Sequence, residues 1–313
     1  MYPVSSNSKE KNVMIYDSHI HIYPARYSHG FDAPPQFLEK ITAAGIGGGS
    51  IFSLPPRGSL EYYDDDQPDN RTRIHQVLDY CSQLPDSFYP FYWINPTEPN
   101  AVEQVRYAAE QGIRGFKVLC SDYYPEEGMK AYAECAKLGL PVMFHSGILW
   151  DGKVSSGYNR PLSFECLLKV EKLRFSLAHM SWPWIGECIA LFGKFNASQR
   201  SFGNAPEMYI DSSPGAPEFD REEAFRKMGL ICYGMASRLL FGVDSDTNQY
   251  NVAWAKDTLA YDRELFERLH GIYSKPEAVG HDLRFTRGDR ETIDFREFFR
   301  KATEENYLNF IRK

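Results

Sequence analysis

Short apolar runs alternate along the chain with stretches whose apolar positions fall three and four residues apart. The two patterns predict strands, with a side-chain period of two, alternating with amphipathic helices of period 3.6. The first strand covers residues 13–22, and after Pro34-Pro35 the spacing of Phe37, Leu38, Ile41 and Ala44 predicts a helix that stops at Gly45. A second run at 46–54 contains three consecutive glycines, unusual within a strand, but Ser50-Ile51-Phe52-Ser53-Leu54 keeps strand character and Pro55-Pro56 ends it. An acidic, tyrosine-bearing loop follows, and Ile74, Val77, Leu78 and Cys81 mark the next helix. Strand three is expected at 88–94. Asn100 is placed to cap a helix bearing Val102, Val105 and Ala109 and closed by Gly112, with strand four at 115–119. The alternation continues with a helix through Met129, Tyr132 and Ala136, strand five at 140–145, helix five at 161–173 and strand six at 174–179. Helix six at 183–195, strand seven at 208–212, helix seven at 222–234 and strand eight at 239–244 complete it.

Eight short strands, each followed by a helix, predict parallel pairing through right-handed crossovers, and eight such units close into an α/β fold of the (β/α)8, or TIM-barrel, type. A chain of 313 residues suits one such barrel. The competing architecture, an open doubly wound sheet, lacks its usual signal, because no G-x-G-x-x-G follows the first strand. The expected organisation is a polar tail at 1–12 and a single barrel domain at 13–313. The tail after strand eight holds a helix at about 252–270, a polar stretch at 274–291 and a final helix from about Phe295; it reads as the eighth helix plus an insertion at about 246–295 over the barrel mouth.

Composition narrows the function. A net charge of -7 leaves no basic stripe to neutralise phosphates, so nucleic acid is not an expected partner. No apolar run approaches the length that crosses a bilayer, and the first dozen residues lack an apolar core behind a positive start, so neither a membrane nor a secretory signal is expected. The six cysteines show no C-x-x-C pairing and read as reduced thiols of a cytoplasmic protein. An aromatic share of 15% suits a filled core with aromatic-lined pockets for a small-molecule substrate.

Ionisable residues gather at the carboxyl ends of the strands, where barrel enzymes place their chemistry. In Asp17-Ser18-His19-Ile20-His21 the period of two turns Asp17, His19 and His21 to one face, giving two imidazoles one shared space. Lys117 lies in strand four, His145 ends strand five, His179 ends strand six, Asp211 ends strand seven and Asp244 ends strand eight. Several N and O donors converging at one barrel mouth match a catalytic site for a divalent ion with an open position. Each residue also has a plainer reading. The histidines can be core imidazoles satisfied by backbone, Asp244 or Asp211 a loop cap, and Lys117 an ion-pair partner of Asp17 or Asp211. Cys120 at the end of strand four has no further histidine to activate it, and no G-x-S-x-G elbow occurs.

Six motifs in order carry a resemblance: Asp17-Ser18-His19-Ile20-His21, Gly115-Phe116-Lys117, Leu140-Pro141-Val142-Met143-Phe144-His145-Ser146-Gly147, Leu177-Ala178-His179-Met180, Tyr209-Ile210-Asp211-Ser212 and Leu240-Phe241-Gly242-Val243-Asp244. Together they resemble the amidohydrolase superfamily, in the amidohydrolase-related branch that includes aminocarboxymuconate-semialdehyde decarboxylase and related metal-dependent hydrolases. Glu305-Asn306 resembles that family's terminal asparagine-bearing helix, whereas Gly242-Val243-Asp244 stands where the family usually has Gly-Ser-Asp. The resemblance implies metal ligation by His19, His21, His145 and Asp244, with His179 beside the water or substrate and Asp244 also accepting a proton. In binuclear relatives a strand-four lysine is carbamylated and bridges two metals; the Gly-x-Lys context of Lys117 fits the branch with a single ion.

The expected cofactor is one divalent metal ion, zinc before manganese or iron. Asp17 is expected to hold a ligand imidazole in its tautomer. Tyr23, Arg57, Trp93, Asn95, Tyr123, Trp150 and Arg160, on loops after strands one to five, are candidates for the substrate pocket, with an arginine able to grip a carboxylate bidentately. The expected activity is hydrolysis of a C–N or C–O bond in a small carboxylate-bearing amide, ester or lactone. Competing readings are metal-dependent non-oxidative decarboxylation of an aromatic or unsaturated acid, a metal-free lactonase using the same histidines as bases, and a binding barrel without turnover. A homodimer is one expected assembly.

Overall fold

The first two strands approach each other where only glycine fits. A Cβ on Gly49 would lie 2.0 Å from the Asp17 carbonyl oxygen, and one on Gly48 would lie 2.5 Å from that of Ser87. The glycine run that looked unusual for a strand is therefore what lets the second strand pack between its neighbours. These contacts come from a computed structural model that describes residues 14–22, 32–58, 68–231, 233–274 and 294–312.

The strands are β1 (Tyr16–His21), β2 (Gly48–Phe52), β3 (Phe88–Trp93), β4 (Gly115–Val118), β5 (Val142–Phe144), β6 (Arg174–Leu177), β7 (Glu207–Asp211), β8 (Leu239–Leu240) and β9 (Ser245–Asp246). All pair in parallel in the order β8-β7-β6-β5-β4-β3-β2-β1-β9. The eighth strand is the one departure from an unbroken ring. It splits at residues 241–244 into β8, which pairs with β7, and β9, which pairs with β1. Across the break the Ser18 backbone N–H donates to the Phe241 carbonyl at 2.9 Å and the Ser18 hydroxyl donates to the same oxygen, so first and eighth strands meet and the barrel closes.

The helices between them are α1 (Pro34–Ala43), α2 (Asn70–Cys81), α3 (Ala101–Gln111), α4 (Met129–Lys137), α5 (Ile185–Phe202), α6 (Glu218–Leu230) and α7 (Val252–Tyr273). Helix five expected at 161–173 is instead a 3-10 segment, Pro161–Lys169. Apolar side chains of these helices and the outward-facing strand residues form one continuous core around the barrel. Each large side chain fully buried there contributes roughly 1.5–3 kcal/mol. None of these helices is long and apolar enough to cross a membrane.

The chain ends in α8 (Phe295–Arg300), a π-turn at Lys301–Glu305 and α9 (Asn306–Ile311). The final helix seals the barrel floor. Tyr307, Phe310 and Ile311 pack with Tyr16, Phe52, Phe91, Met143, Tyr209 and Leu240 in a second core cluster, and the Tyr307 hydroxyl lies 2.7 Å from that of Ser50. The Asn306 side-chain amide donates to the carbonyls of Ala236 and Leu239, tying this helix to the start of β8. The polar tail at 1–12 and residues 275–293 of the insertion expected at about 246–295 lie outside the described residues.

Candidate metal centre at the strand ends

A β-bulge in β1 sets the geometry of the site. Asp17 pairs with Gly49 and Ile20 with Ile51, so Ser18 and His19 together oppose the single residue Ser50. His19 and His21 both project into the barrel mouth, with their Nε2 atoms 3.0 Å apart. Asp17 differs from its expected role. Its Oδ1 accepts from the backbone N–H groups of His19 and Val243, and the side chain bonds no imidazole among the described residues, because the bulge interrupts the simple alternation.

The partner expected in Asp17 is supplied by Asp211 at the end of β7. Its Oδ2 lies 2.8 Å from His19 Nδ1, which places the proton on Nδ1 and turns the Nε2 lone pair to the centre. Asp244 Oδ1 sits 3.4 Å from His19 Nε2 and 3.3 Å from His21 Nε2. Asp244 occupies the break in the eighth strand with φ at 53°, a left-handed conformation that aims its carboxylate inward. Donor atoms of His19, His21 and Asp244 all lie within 4.8 Å of one another. Such a compact N,N,O set suits a divalent ion.

Around this set stand the remaining strand-end residues. Lys117 Nζ is 3.2 Å from His19 Nε2, and Lys117 forms no ion pair among the described residues, so the expected alternative of pairing with Asp17 or Asp211 is not what the structure shows. His145 lies outside the tight three-donor set but lines the same cavity, and its buried Nε2 has no hydrogen-bond partner among the described residues. Its ring centroid is 4.9 Å from that of His179. His179, Met180 and Ser181 are all left-handed, a tight turn that ends β6 and swings His179 over the mouth. His179 Nδ1 is 3.1 Å from the Pro214 carbonyl and 3.0 Å from the Ser213 hydroxyl, which also reaches His19 Nδ1 at 3.1 Å. Ser213 and Gly215, whose added Cβ would lie 2.9 Å from His179 Cβ, were not singled out from sequence.

Burial governs the protonation states. It lowers His19 to about 3, with the Lys117 cation adding to the effect, and it lowers His21 and, most strongly, His145. All three are neutral imidazoles, the form that binds metals. Burial also lowers Lys117 to about 8 and raises Asp17 to about 8. For Asp244 burial acts against ionisation, but attraction to the His19 and His21 rings, wherever one of them carries a proton, outweighs it and holds the carboxyl well below the ordinary range. Burial raises the Cys120 thiol, which leaves it a poor nucleophile.

The cavity beside these donors, about 220 Å³, is walled by Trp93, Leu119, Ile148, Leu149, Trp150 and Asp151. Two of the seven loop candidates, Trp93 and Trp150, line it. Trp93 is fixed from behind, since Arg73 donates to the carbonyls of Trp93 and Leu54 and to the Tyr92 hydroxyl. Three of the others serve elsewhere. Asn95 accepts from Thr97 in a local turn, Tyr123 is buried with its hydroxyl on the Leu119 carbonyl, and Arg160 pairs with Glu187 at 2.9 Å. Arg57 lies in an exposed turn and is not among the residues lining this cavity. Tyr23 lies outside the described residues.

A parallel eight-position barrel with histidines and carboxylates converging at the strand ends is the donor arrangement of a metal-dependent hydrolytic enzyme. The family model described as Amidohydrolase matches residues 16–270, and the chain belongs to that family. Solved structures agree on the fold. An uncharacterised TIM-barrel protein from Bordetella bronchiseptica is 17% identical with a TM-score of 0.59, covering 96% of this chain and 100% of that one. The 5-carboxyvanillate decarboxylase LigW from Sphingomonas paucimobilis is 11% identical with a TM-score of 0.58, covering 96% and 99%. An amidohydrolase from Burkholderia multivorans with bound HEPES is 14% identical with a TM-score of 0.54, covering 95% and 99%. No curated protein matches the sequence.

Proposed function

We propose that the protein uses one divalent ion, zinc before manganese or iron, to hydrolyse a C–N or C–O bond in a small carboxylate-bearing amide, ester or lactone. The convergence of His19 Nε2, His21 Nε2 and Asp244 Oδ1 carries the reading. His145, with its buried and unpartnered Nε2, is the proposed further ligand. When bound, the ion supplies Lewis acidity towards a substrate oxygen and towards water.

The protein's own groups do the rest. Asp211 holds the His19 ring in the tautomer that presents Nε2. Asp244 is an ionised carboxylate at the mouth and accepts the proton released when water attacks. His179, steadied by Pro214 and Ser213, orients the attacking water or polarises the substrate carbonyl. Lys117 is the cation closest to the donor set and attracts the substrate carboxylate.

One observation favours a second reading, non-oxidative decarboxylation of an aromatic or unsaturated acid. The side chains of Trp93, Leu119, Ile148, Leu149 and Trp150 along one cavity suit a flat ring. Release of carbon dioxide from a candidate acid, against release of an alcohol or amine, separates the two.

The deciding experiment is elemental analysis of protein purified without added metal, on wild type, His19→Ala and His145→Ala. About one ion per chain in wild type, lost in the variants, supports the reading, and two per chain would revive a bridging Lys117. No metal in wild type, with no thermal stabilisation by divalent ions, would overturn it and favour a metal-free lactonase or a binding barrel.

A further inference from the structure

The sequence suggested an arginine to grip a substrate carboxylate, yet no arginine lines the cavity among the described residues. What stands there is a carboxylate. Asp151, on the loop after β5, is 3% exposed and lines the same cavity as Trp93 and Trp150. Its Oδ1 is fully engaged within its own loop, accepting from the Ser155 hydroxyl at 2.8 Å and from the Lys153 backbone N–H at 3.1 Å. Its Oδ2 is buried and has no hydrogen-bond donor among the described residues.

A buried acceptor without a donor is costly, and native proteins leave one mainly where a ligand completes it. Its surroundings limit that ligand. At about 220 Å³ the cavity is smaller than the roughly 300–1,000 Å³ typical of drug-sized sites, a size that suits a small substrate such as a single ring. Its other walls are aromatic and aliphatic, and its cation, Lys117, lies beside His19 of the metal-donor set.

We infer that Asp151 is a specificity-determining residue whose Oδ2 accepts a hydrogen bond from an O–H or N–H group on a single-ring substrate held in this cavity. The inference rests on the proposed reading of the strand-end centre as the reaction site. It has a second consequence: a substrate with a second carboxylate beside Asp151 is repelled by it. Selection is thus for a monoanion bearing a donor group and against a dianion.

The Asp151→Asn substitution inverts this contact. Asparagine keeps one oxygen for Ser155 and Lys153 and replaces Oδ2 with an NH2 donor of the same size. The test measures binding of matched probes to metal-loaded protein by calorimetry: 3- and 4-hydroxybenzoate, the corresponding methoxybenzoates, and the benzene 1,3- and 1,4-dicarboxylates. Wild type is expected to bind at least one hydroxy probe about tenfold more tightly than its methoxy partner and to bind the dicarboxylates weakest. In Asp151→Asn the hydroxy preference disappears and the dicarboxylates gain about tenfold, with metal content and melting temperature unchanged.

Equal preference in wild type and variant overturns the assignment of Asp151, as does failure of every single-ring probe to bind metal-loaded wild type. Both outcomes leave the metal centre standing if one ion per chain is present. Absence of metal from wild type instead overturns the proposed function. If Asp151→Asn melts early, Ser155→Ala, which releases Oδ1 without touching the charge, is expected to weaken the hydroxy preference while still rejecting the dicarboxylates.

Discussion

Asp211 Oδ2 and His19 Nδ1 are 2.8 Å apart although 192 residues separate them in sequence. The contact joins the ends of β7 and β1 and leaves His19 Nε2 as a lone-pair donor beside His21 and Asp244. Asp211→Asn can no longer act as a charged acceptor for the Nδ1 proton, and metal affinity is expected to fall roughly 10–100-fold with the fold retained. Competition against a chromophoric chelator reads the change. Unaltered affinity would show that Asp211 does not set the ring.

The buried centre makes the stability of metal-free protein depend on pH in a particular shape. His19, His21 and His145 are all lowered from 6.5, so the unfolded chain binds protons that the folded state refuses, and stability rises with pH up to about 6.5 and is lost below it. Asp17 is raised from 3.8 to about 8, so the folded state keeps a proton that the unfolded chain releases, and its contribution falls with rising pH across that window. Lys117, lowered from 10.5 to about 8, gives a rise between those values. Each group adds a slope of at most about 1.4 kcal/mol per pH unit. From the site groups a maximum near pH 6.5 and a dip towards pH 8 are expected in urea titrations of chelated protein. Asp17→Asn should abolish the dip.

Gly215→Ala tests the placement of His179. The new methyl would lie 2.9 Å from His179 Cβ, and the imidazole must move while His19, His21 and Asp244 stay in place. On the proposed role of His179, kcat falls at least about tenfold, since a displacement of an ångström in a catalytic group has that effect or more. Metal content should hold. Simultaneous loss of metal would place His179 among the ligands.

Arg221 in α6 and Asp262 in α7 form a bidentate ion pair with both side chains buried. Removing one partner strands the other charge, so Arg221→Met is expected to cost about 3–5 kcal/mol, whereas Arg221→Met with Asp262→Leu should recover much of it. Urea midpoints on the two variants measure the difference.

Much of this molecule was legible in its sequence because barrel strands are buried on both faces and their helices bear a single apolar stripe. The alternation gave the ring, and the histidines at strand ends pointed to the donors, since strand ends face one mouth. What escaped notice depended on departures from regular backbone. The bulge after Asp17 took that carboxylate from the imidazoles, and its role passed to Asp211, whose facing depends on a strand far away in sequence. The break in strand eight and the left-handed turn at His179 follow from tertiary closure rather than from local propensity. Asp151 gave no signal because its one free oxygen is defined by which donors its own loop consumes. Arg160 and Asn95 sat at expected loop positions, but Glu187 and Thr97 occupy them.

The seam between Ser18 and Phe241, 223 residues apart, closes the ring within three residues of Asp244. On the proposed ligand set, an ion held by His19, His21 and Asp244 spans that same seam and clamps the first strand to the last. Metal affinity and ring closure are then one thermodynamic quantity seen from two sides. Each tenfold rise of free metal above its dissociation constant tightens the seam by about 1.4 kcal/mol, and a chain opened at the eighth strand loses the ion and the circle together.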